Sequence, residues 1–527
     1  MKLDVINDPW ITCTMTGGSR KKYGARDTLL YADEIRNIEI PEALTYIDNF
    51  AVVTFLSMLV YASYRFNAQR QKIRLFQSGK FDIHKIDEYI DGCRSRGILF
   101  DVFDSKHPFL QCSTDEIREK DLKPVAVGAI DEVCLSGNNN VFYRANSRTP
   151  QNPKLTPENN VFMWPEQFAA SVMRNHMFRT ASGRGYSSSG FVYGEPPLAV
   201  IVEGKNLFET LLFSIPVQDE ELAENDLPMW ERPRYRANIA EEISEERFGY
   251  LNAQFFPTIS IHYGDLDEKY GRILSVYKAS LYAGAAESEK PSHYYESFIR
   301  NSTSYLKYLK KDRDVVVERY DASKQLWQNL ASADAWILSE CEKGLEAQEF
   351  IGRLRDEHLI DQGTSFSCKG YGLIMTTTSV HNSEQGMISC DMPLPVLADQ
   401  HKMRQLEYIL KGVQGARCCL KNNVIKMLTE ISEKKSGVSD LCFGDGGVLS
   451  TTLTQFDDLE DERVRKGWLD LVSEGDADVL TGIKNQIVQD ALVIFDGVPV
   501  PKSNFIVKNM YRNSLAGALK KRVKGEK

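Results

Sequence analysis

Four groups of residues in this chain have types and spacing that chemistry can use. The first runs from Arg179 to Gly190, where Gly183, Gly185 and Gly190 alternate with Ser187, Ser188 and Ser189 beside Arg179 and Arg184. Such glycines let backbone N–H groups approach a phosphate or a nucleic-acid groove. A dinucleotide fingerprint needs a preceding strand and a following helix. Here a helical pattern precedes and Pro196-Pro197 follow, so that reading fails. The second group is the Asn-rich stretch 134–160, in which Phe142 and Tyr143 interleave with Arg144 and Arg148. Aromatic rings there suit stacking on bases, and the guanidinium groups suit phosphates. The third is Asp104 with His107, an acid–base combination without a neighbouring nucleophile, and a turn is the better reading. The fourth is Asp457, Asp458, Glu460, Asp461 and Glu462. A metal nuclease needs converging carboxylates. These are nearly consecutive, so they point around a helix and read as a solvated face or a first-turn acid cluster.

Metal and redox chemistry find little else. The ten cysteines include no CxxC pair and the histidines are dispersed without HExxH, so reduced thiols are expected and no metal or cofactor. Gly17 and Gly18 before Arg20-Lys21-Lys22 lack phosphate-loop spacing and read as a hairpin turn.

The elements that position these groups change character along the chain. Residues 3–11 read as a short strand, and helices are expected at about 41–66, 82–96, 165–178, 206–215 and 323–358, with a strand at 198–204. Lys278 lies in the strand-like VYKASLY. From Gly372 to Pro395 a β-branched run turns over through Asn382, Ser383, Glu384, Gln385 and Gly386 and returns as Met387–Cys390, a β-hairpin pattern. Its tip of amides and a carboxylate can hydrogen-bond base edges. Beyond Pro395, Leu406, Leu410, Val413, Leu420, Val424, Met427 and Ile431 form a helical stripe, and further helices are expected at about 449–473, 477–494 and 504–523. The fold class is therefore α+β: a large mixed N-terminal domain, 1–393, followed by a C-terminal antiparallel four-helix bundle, 394–527. Arg404, Lys411, Arg417, Lys421, Lys520 and Arg522 punctuate that bundle and offer a track for a phosphate backbone.

Composition narrows the class. The 42% hydrophobic and 26% charged content is ordinary for a soluble globular protein. The most apolar run, 50–60, reads as a buried helix, and the N-terminus lacks a signal peptide, so a cytoplasmic location without a membrane is expected. A net charge of −9 weighs against an independent DNA-coating protein and points to local basic patches inside a larger assembly.

Several stretches occurring in one order resemble a known family: NDPWI, FDVFDSKHPFLQ, SGNNNVF, ENDLPMW and the MPLP junction. The chain is similar to the CasA family, the large subunit of the type I-E CRISPR surveillance complex, Cascade. That resemblance covers essentially the whole chain. It implies a non-catalytic subunit that reads the protospacer-adjacent motif (PAM) in duplex DNA, starts strand separation and recruits a helicase–nuclease, while guide RNA reads the remaining sequence. By the resemblance, Ser187, Ser188, Ser189 and Gly190 form a glycine loop at the minor groove, Lys278 a lysine finger, and Asn382, Ser383, Glu384 and Gln385 a wedge. Asn138, Asn139, Asn140 and Phe142 correspond to a loop that contacts the guide RNA end and neighbouring subunits. The implied partners are target double-stranded DNA, guide RNA, the backbone, small and guide-end-binding subunits, and the helicase–nuclease. Some family members carry paired cysteines suggestive of zinc, whereas this chain has no CxxC pair. Glu384 also departs from a DNA-facing tip, because phosphate repels it unless it accepts from a cytosine amine or points away.

Two other readings stand beside this one. An enzyme would require a convergent catalytic set that the sequence does not assign. A scaffold that only bridges subunits would share the bundle and the aromatic loops, and would keep DNA binding unchanged when Lys278 is neutralised.

Overall fold

The chain opens with a turn where a strand was expected. The Asp4 carboxylate accepts from the Ile6 amide and the Asn7 side chain, and Asp8 accepts from the Asp4 amide, so side chains claim the donors that a strand would pair. Strand β1 (Ile11–Met15) begins only after Trp10, which is buried and donates its indole N–H to the Val5 carbonyl at 2.8 Å. The structure is a computed structural model and describes residues 1–39, 46–111, 125–126, 163–177, 198–231, 249–254, 259–280, 305–309, 315–320, 326–332, 346–375, 383–432, 442–443, 446–474 and 477–524.

The contacts divide the chain into two units. Met1–Leu326, Ala333–Leu359 and Ser367–Ser389 form the first, and Trp327–Ser332, Ile360–Phe366 and Cys390–Lys527 the second.

In the first unit β1 alternates buried and half-buried side chains, the mark of a strand with one face on a core. It lies between β2 (Arg20–Tyr23) and, after helix α1 (Ala25–Leu30), β3 (Ile35–Glu39), both antiparallel to it. The turn after β1 is the expected hairpin, with Gly18 at φ 82°, a conformation that favours glycine. Helix α2 (Tyr46–Tyr64) is the centre of this unit, with Ile47, Phe50, Phe55, Leu56, Leu59 and Tyr61 buried. Its Ile47–Tyr64 window is long and apolar enough to cross a membrane by composition, yet 78% of it is buried inside the fold. A helix that is apolar all round belongs to such a core, as the sequence pattern implied. Helices α3 (Gln69–Ser78), α4 (Ile83–Ser95), α5 (Pro165–Asn175) and, after strand β4 (Ala199–Glu203), α6 (Leu207–Ser214) follow; α4, α5 and α6 pack directly on α2. The sequence pattern had not indicated α3.

The motifs of the middle chain turn out to be core fittings. Phe100, Phe103 and Phe109 are buried, and the Asp104 carboxylate accepts from the Lys106 and His107 amides at 2.9 and 2.7 Å. Those amides hold its pKa below the usual carboxylate value. His107 is exposed, so it marks a turn, as its sequence context suggested. Asp226, in the ENDLPMW segment, is buried and accepts from the Leu251 and Asn252 amides, capping the helix Tyr250–Gln254. Strands β5 (Ile259–Tyr263) and β6 (Ser275–Ser280) pair antiparallel, and the short strand Val125–Ala126 pairs with the other edge of β6. The expected helix at 323–358 is represented by Leu326–Ser332 and α7 (Glu346–Asp356); residues 333–345 lie outside the described ones.

The hairpin strands are longer than the sequence suggested: β7 (Ser365–Met375) and β8 (Ser383–Pro393), in a sheet of order β8-β7-β4. Gly372 allows the chain to pass Tyr320, since a Cβ there would fall 2.0 Å from the tyrosine Cβ.

Pro393 ends β8 and helix begins at once, as expected: α8 (Leu394–Leu397), then α9 (Gln400–Ser432) in the second unit. Helix α10 (Val448–Arg463) runs through a π-helical turn, Val464–Trp468, into α11 (Leu469–Glu474). Helix α12 (Ala477–Gly497) and α13 (Phe505–Leu519) follow, the last continuing as a second π turn, Lys520–Lys524. This C-terminal region is helical. Helix α9 packs against α10, α12 and α13, and its stripe Leu406, Leu410, Val413, Leu420, Val424 and Met427 is buried.

Candidate nucleic-acid interface

Lys278 sits inside β6, the middle strand of its sheet. Its register partner across the ladder is Ile261 of β5. The segment is a strand, as VYKASLY suggested, with five consecutive registered pairs to β5.

The hairpin tip needs a correction. Ser383, Glu384, Gln385 and Gly386 were expected in the turn, but they already belong to β8. The link between the strands therefore spans 376–382 and contains Asn382, which lies outside the described residues. Turn-prone residue types drew the boundary too late. Pairing along β7 overrides the weak strand preference of Ser, Glu and Gln, because propensity in a sheet follows its neighbours. Ser187, Ser188, Ser189 and Gly190, with Asn138, Asn139, Asn140 and Phe142, also lie outside the described residues.

The six basic residues of the C-terminal region are all described, and they divide. Arg417 donates from Nε to both oxygens of Asp457, at 2.8 and 2.9 Å, and Lys411 pairs with Glu407 one turn before it. Arg522 reaches the Cys418 sulfur at 3.3 Å. Arg404, Lys421 and Lys520 are exposed and have no ion-pair partner among the described residues. A phosphate would meet their full charge, whereas Lys411 and Arg417 would first have to share theirs with a carboxylate. Other cations of the region are occupied: Arg512 with Asp496 at 2.6 Å, and Lys508 with the Asp496 and Val498 carbonyls, closing the C-terminus of α12.

The acidic run 457–462 also needs correction. It occupies the last two turns of α10, not a first turn; Asp458 and Glu462 are exposed, as a solvated face requires, but Glu460 and Asp461 are 0% and 5% exposed. Asp461 accepts from the Trp327 indole at 3.0 Å. On α12, Asp490 is held by Arg463 and by Gln486. Neither oxygen of Glu460 has a hydrogen-bond partner among the described residues. Burial, reinforced by the neighbouring Asp490, pushes Glu460 up to about 8, so at neutral pH it carries a proton. Burial likewise raises Asp457, against the opposing pull of Arg417. No group of three or more His, Cys, Asp or Glu is arranged to hold a metal among the described residues. The signal for Glu460 was present in the sequence: Leu453, Phe456, Glu460 and Val464 recur at helical spacing, placing the carboxyl on the apolar stripe.

The sequence profile of CRISPR-associated protein Cse1 matches residues 4–486. No curated protein matches the chain by sequence. Among solved structures, the fold is similar to Thermobifida fusca Cse1 at 15% identity and a TM-score of 0.71, covering 100% of this chain and 99% of that one. CasA of Thermus thermophilus is similar at 17% identity and a TM-score of 0.68, covering 98% of this chain and 100% of that one. A chain of a CRISPR RNA-guided surveillance complex matches at 14% identity and a TM-score of 0.66, covering 98% and 99%. A profile that spans nearly the whole sequence settles the assignment: this chain belongs to the Cse1 (CasA) family of Cascade large subunits.

Proposed function

We propose that this chain is the non-catalytic DNA-recognising subunit of a type I-E Cascade complex, reading the PAM in target duplex DNA, initiating strand separation and recruiting the helicase–nuclease. The observation that carries this reading is the family match over 4–486, a span within which Ser187–Gly190, Lys278 and Asn382–Gln385 fall. The minor groove offers mainly acceptors, so a lysine ammonium and backbone N–H groups suit it. A hairpin link inserted beside the PAM replaces base stacking at a cost of a few kcal/mol. With Ser383–Gln385 in strand, the inserting residues shift into 376–382, and Asn382 becomes their C-terminal end. The C-terminal helices act in this reading as a four-helix bundle whose free cations, Arg404, Lys421 and Lys520, guide the displaced strand. Guide RNA and the other Cascade subunits are its partners, in the cytoplasm.

The test is duplex binding by the guide-loaded complex, with and without this chain, on targets that differ only in the PAM. PAM-dependent affinity that appears with the chain and falls with Lys278→Ala supports the reading; equal binding to PAM and scrambled duplexes rejects it. Charge removal at Arg404, Lys421 and Lys520 lowers affinity equally on all sequences and reduces the salt slope by about one per contact.

A second reading, a scaffold that bridges subunits, draws on the exposed apolar residues Phe505, Ile506 and Met510 of α13, which no other part of the described second unit covers. In that case substitutions there release the chain from the complex while duplex affinity stays independent of the PAM.

A further inference from the structure

Tyr408 stands on α9 opposite the buried stripe of Leu406, Leu410 and Val413; it is 52% exposed, and the Lys484 ammonium of α12 lies 3.8 Å from its ring centroid. Helical spacing brings Arg404, four residues before it, and Lys411, three after, onto the same side of α9. One turn farther, Gly415 lets the stem of Arg522 lie close, since a Cβ there would fall 3.5 Å from the arginine Cγ. Arg404, Tyr408, Lys411 and Arg522, with Lys484 beside the ring, form one strip along the second unit.

The strip is cationic in a chain whose net charge is −9. Between Gln400 and Leu420 the only carboxylate is Glu407, which Lys411 holds, and between Phe505 and Lys524 there is none. Arg404 and Lys484 have no carboxylate partner among the described residues. Arg417, which pairs with Asp457 of α10, lies nine residues beyond Tyr408, about two and a half turns, so the acidic run of α10 meets the other side of α9. Of the α12 acids, Asp490 is buried and held by Arg463, and Asp478 lies six residues before Lys484, on a different side of the helix.

Charge alone would suit any polyanion, and the ring narrows the choice. Duplex DNA keeps its base faces stacked inside, and an acidic peptide offers no flat conjugated face, so neither makes use of a half-exposed tyrosine among cations. An unpaired base does: stacking on aromatic side chains along a basic track holds single strands irrespective of sequence. A ring with an ammonium on one face and half of the residue exposed keeps area for a base. We infer that Tyr408 is a stacking platform for a base of single-stranded DNA, whose neighbouring phosphates meet Arg404, Lys484 and Arg522. This deepens the function proposed above and rests on it in one respect, that the strand is the displaced one.

The test is equilibrium titration of the full-length chain with labelled probes of equal length: single-stranded oligo(dA), an abasic deoxyribose-phosphate strand and a blunt duplex. Oligo(dA) is expected to bind saturably and the abasic strand about tenfold more weakly. Tyr408→Leu lowers oligo(dA) to the abasic level with its salt slope unchanged and leaves the duplex unaffected, whereas Tyr408→Phe keeps the preference for bases. Arg404→Gln and Lys484→Gln weaken both single strands, and each reduces the salt slope by about 0.7. Absence of oligo(dA) binding, equal affinity for oligo(dA) and the abasic strand, or a preference for bases that survives Tyr408→Leu overturns the assignment. If polyglutamate of equal charge binds as tightly as oligo(dA) and loses as much in Tyr408→Leu, the strip docks protein and the assignment falls. The PAM comparison is made on the guide-loaded complex and is independent: equal binding to PAM and scrambled duplexes rejects the proposed function, while a preference for bases that depends on Tyr408 keeps the site.

Discussion

Two glutamates are withdrawn from water, one in each unit, and they lose their charge problem in different ways. Glu346 on α7, 4% exposed, meets the Lys72 ammonium at 3.0 Å; Lys72 is itself fully buried, also donates to the Ile215 carbonyl, and lies 3.9 Å from the Phe350 ring centroid. Burial lowers the lysine pKa, and Glu346 opposes that shift. Glu460 on α10 has no such partner among the described residues, where Arg463 is committed to Asp490. It is neutralised by a proton. The first unit therefore holds a charge pair whose two halves depend on each other, and the second a single group that answers to pH. Pairing makes a site sensitive to mutation, and protonation makes it sensitive to the medium.

Breaking the pair should have the largest effect. Lys72→Met leaves Glu346 buried without its cation and is expected to cost about 3–5 kcal/mol in urea unfolding. The double change Lys72→Met with Glu346→Leu should recover most of that loss, since an apolar pair of similar volume replaces an ionic one at little cost. If the double variant is no better than the single, the pair does more than neutralise itself.

Glu460→Gln sharpens the other side. The folded value of about 8 lies above the ordinary 4.5, so as pH rises between them the unfolded chain releases a proton that the folded chain keeps. Wild-type stability must fall through that window and level off above it. The Gln variant lacks this slope. It should match wild type below the window and exceed it above pH 8 by on the order of a few kcal/mol, measured as melting temperature against pH. Parallel profiles would mean that Glu460 finds a partner when it ionises.

Smaller effects are expected where water takes part. Arg417→Ala breaks a half-exposed contact to Asp457 and should cost about 1 kcal/mol or less, with salt weakening the wild-type advantage. Lys411→Ala, removing a one-turn pair with Glu407, should change stability by less than about 0.5 kcal/mol.

The contrast also explains what the sequence disclosed. Long periodic segments were legible because their pattern is their cause: the α9 stripe, the all-round apolar α2 and the break at Pro393 appear where expected. The Asp104–His107 turn was legible because its hydrogen bonds are local. The long-range features were not. Nothing near Lys72 indicates Glu346, which lies 274 residues away, and α3 presents Lys72 to the core beside Ile73. The strand beginning at Ser383 was hidden for the same reason, since its pairing with β7 decides it and local residue types point the other way. Of the candidate interface, the strand around Lys278 and the free cations of the C-terminal helices are visible, while the glycine loop and the Asn-rich loop lie outside the described residues.

The π turn at Val464–Trp468 bears on how this chain compares with its relatives. Such a turn is an α-helix that has accepted one surplus residue. Leu453 and Phe456 before it and Leu469 and Val472 after it are all buried, so both flanks keep their inward faces despite the surplus. A relative lacking that residue would preserve both faces and differ only in a shorter coil between them. Alignments should accordingly open a one-residue gap within 464–468, and a deletion there should be tolerated where the same deletion a turn earlier would rotate Phe456, and with it Leu453, out of the core.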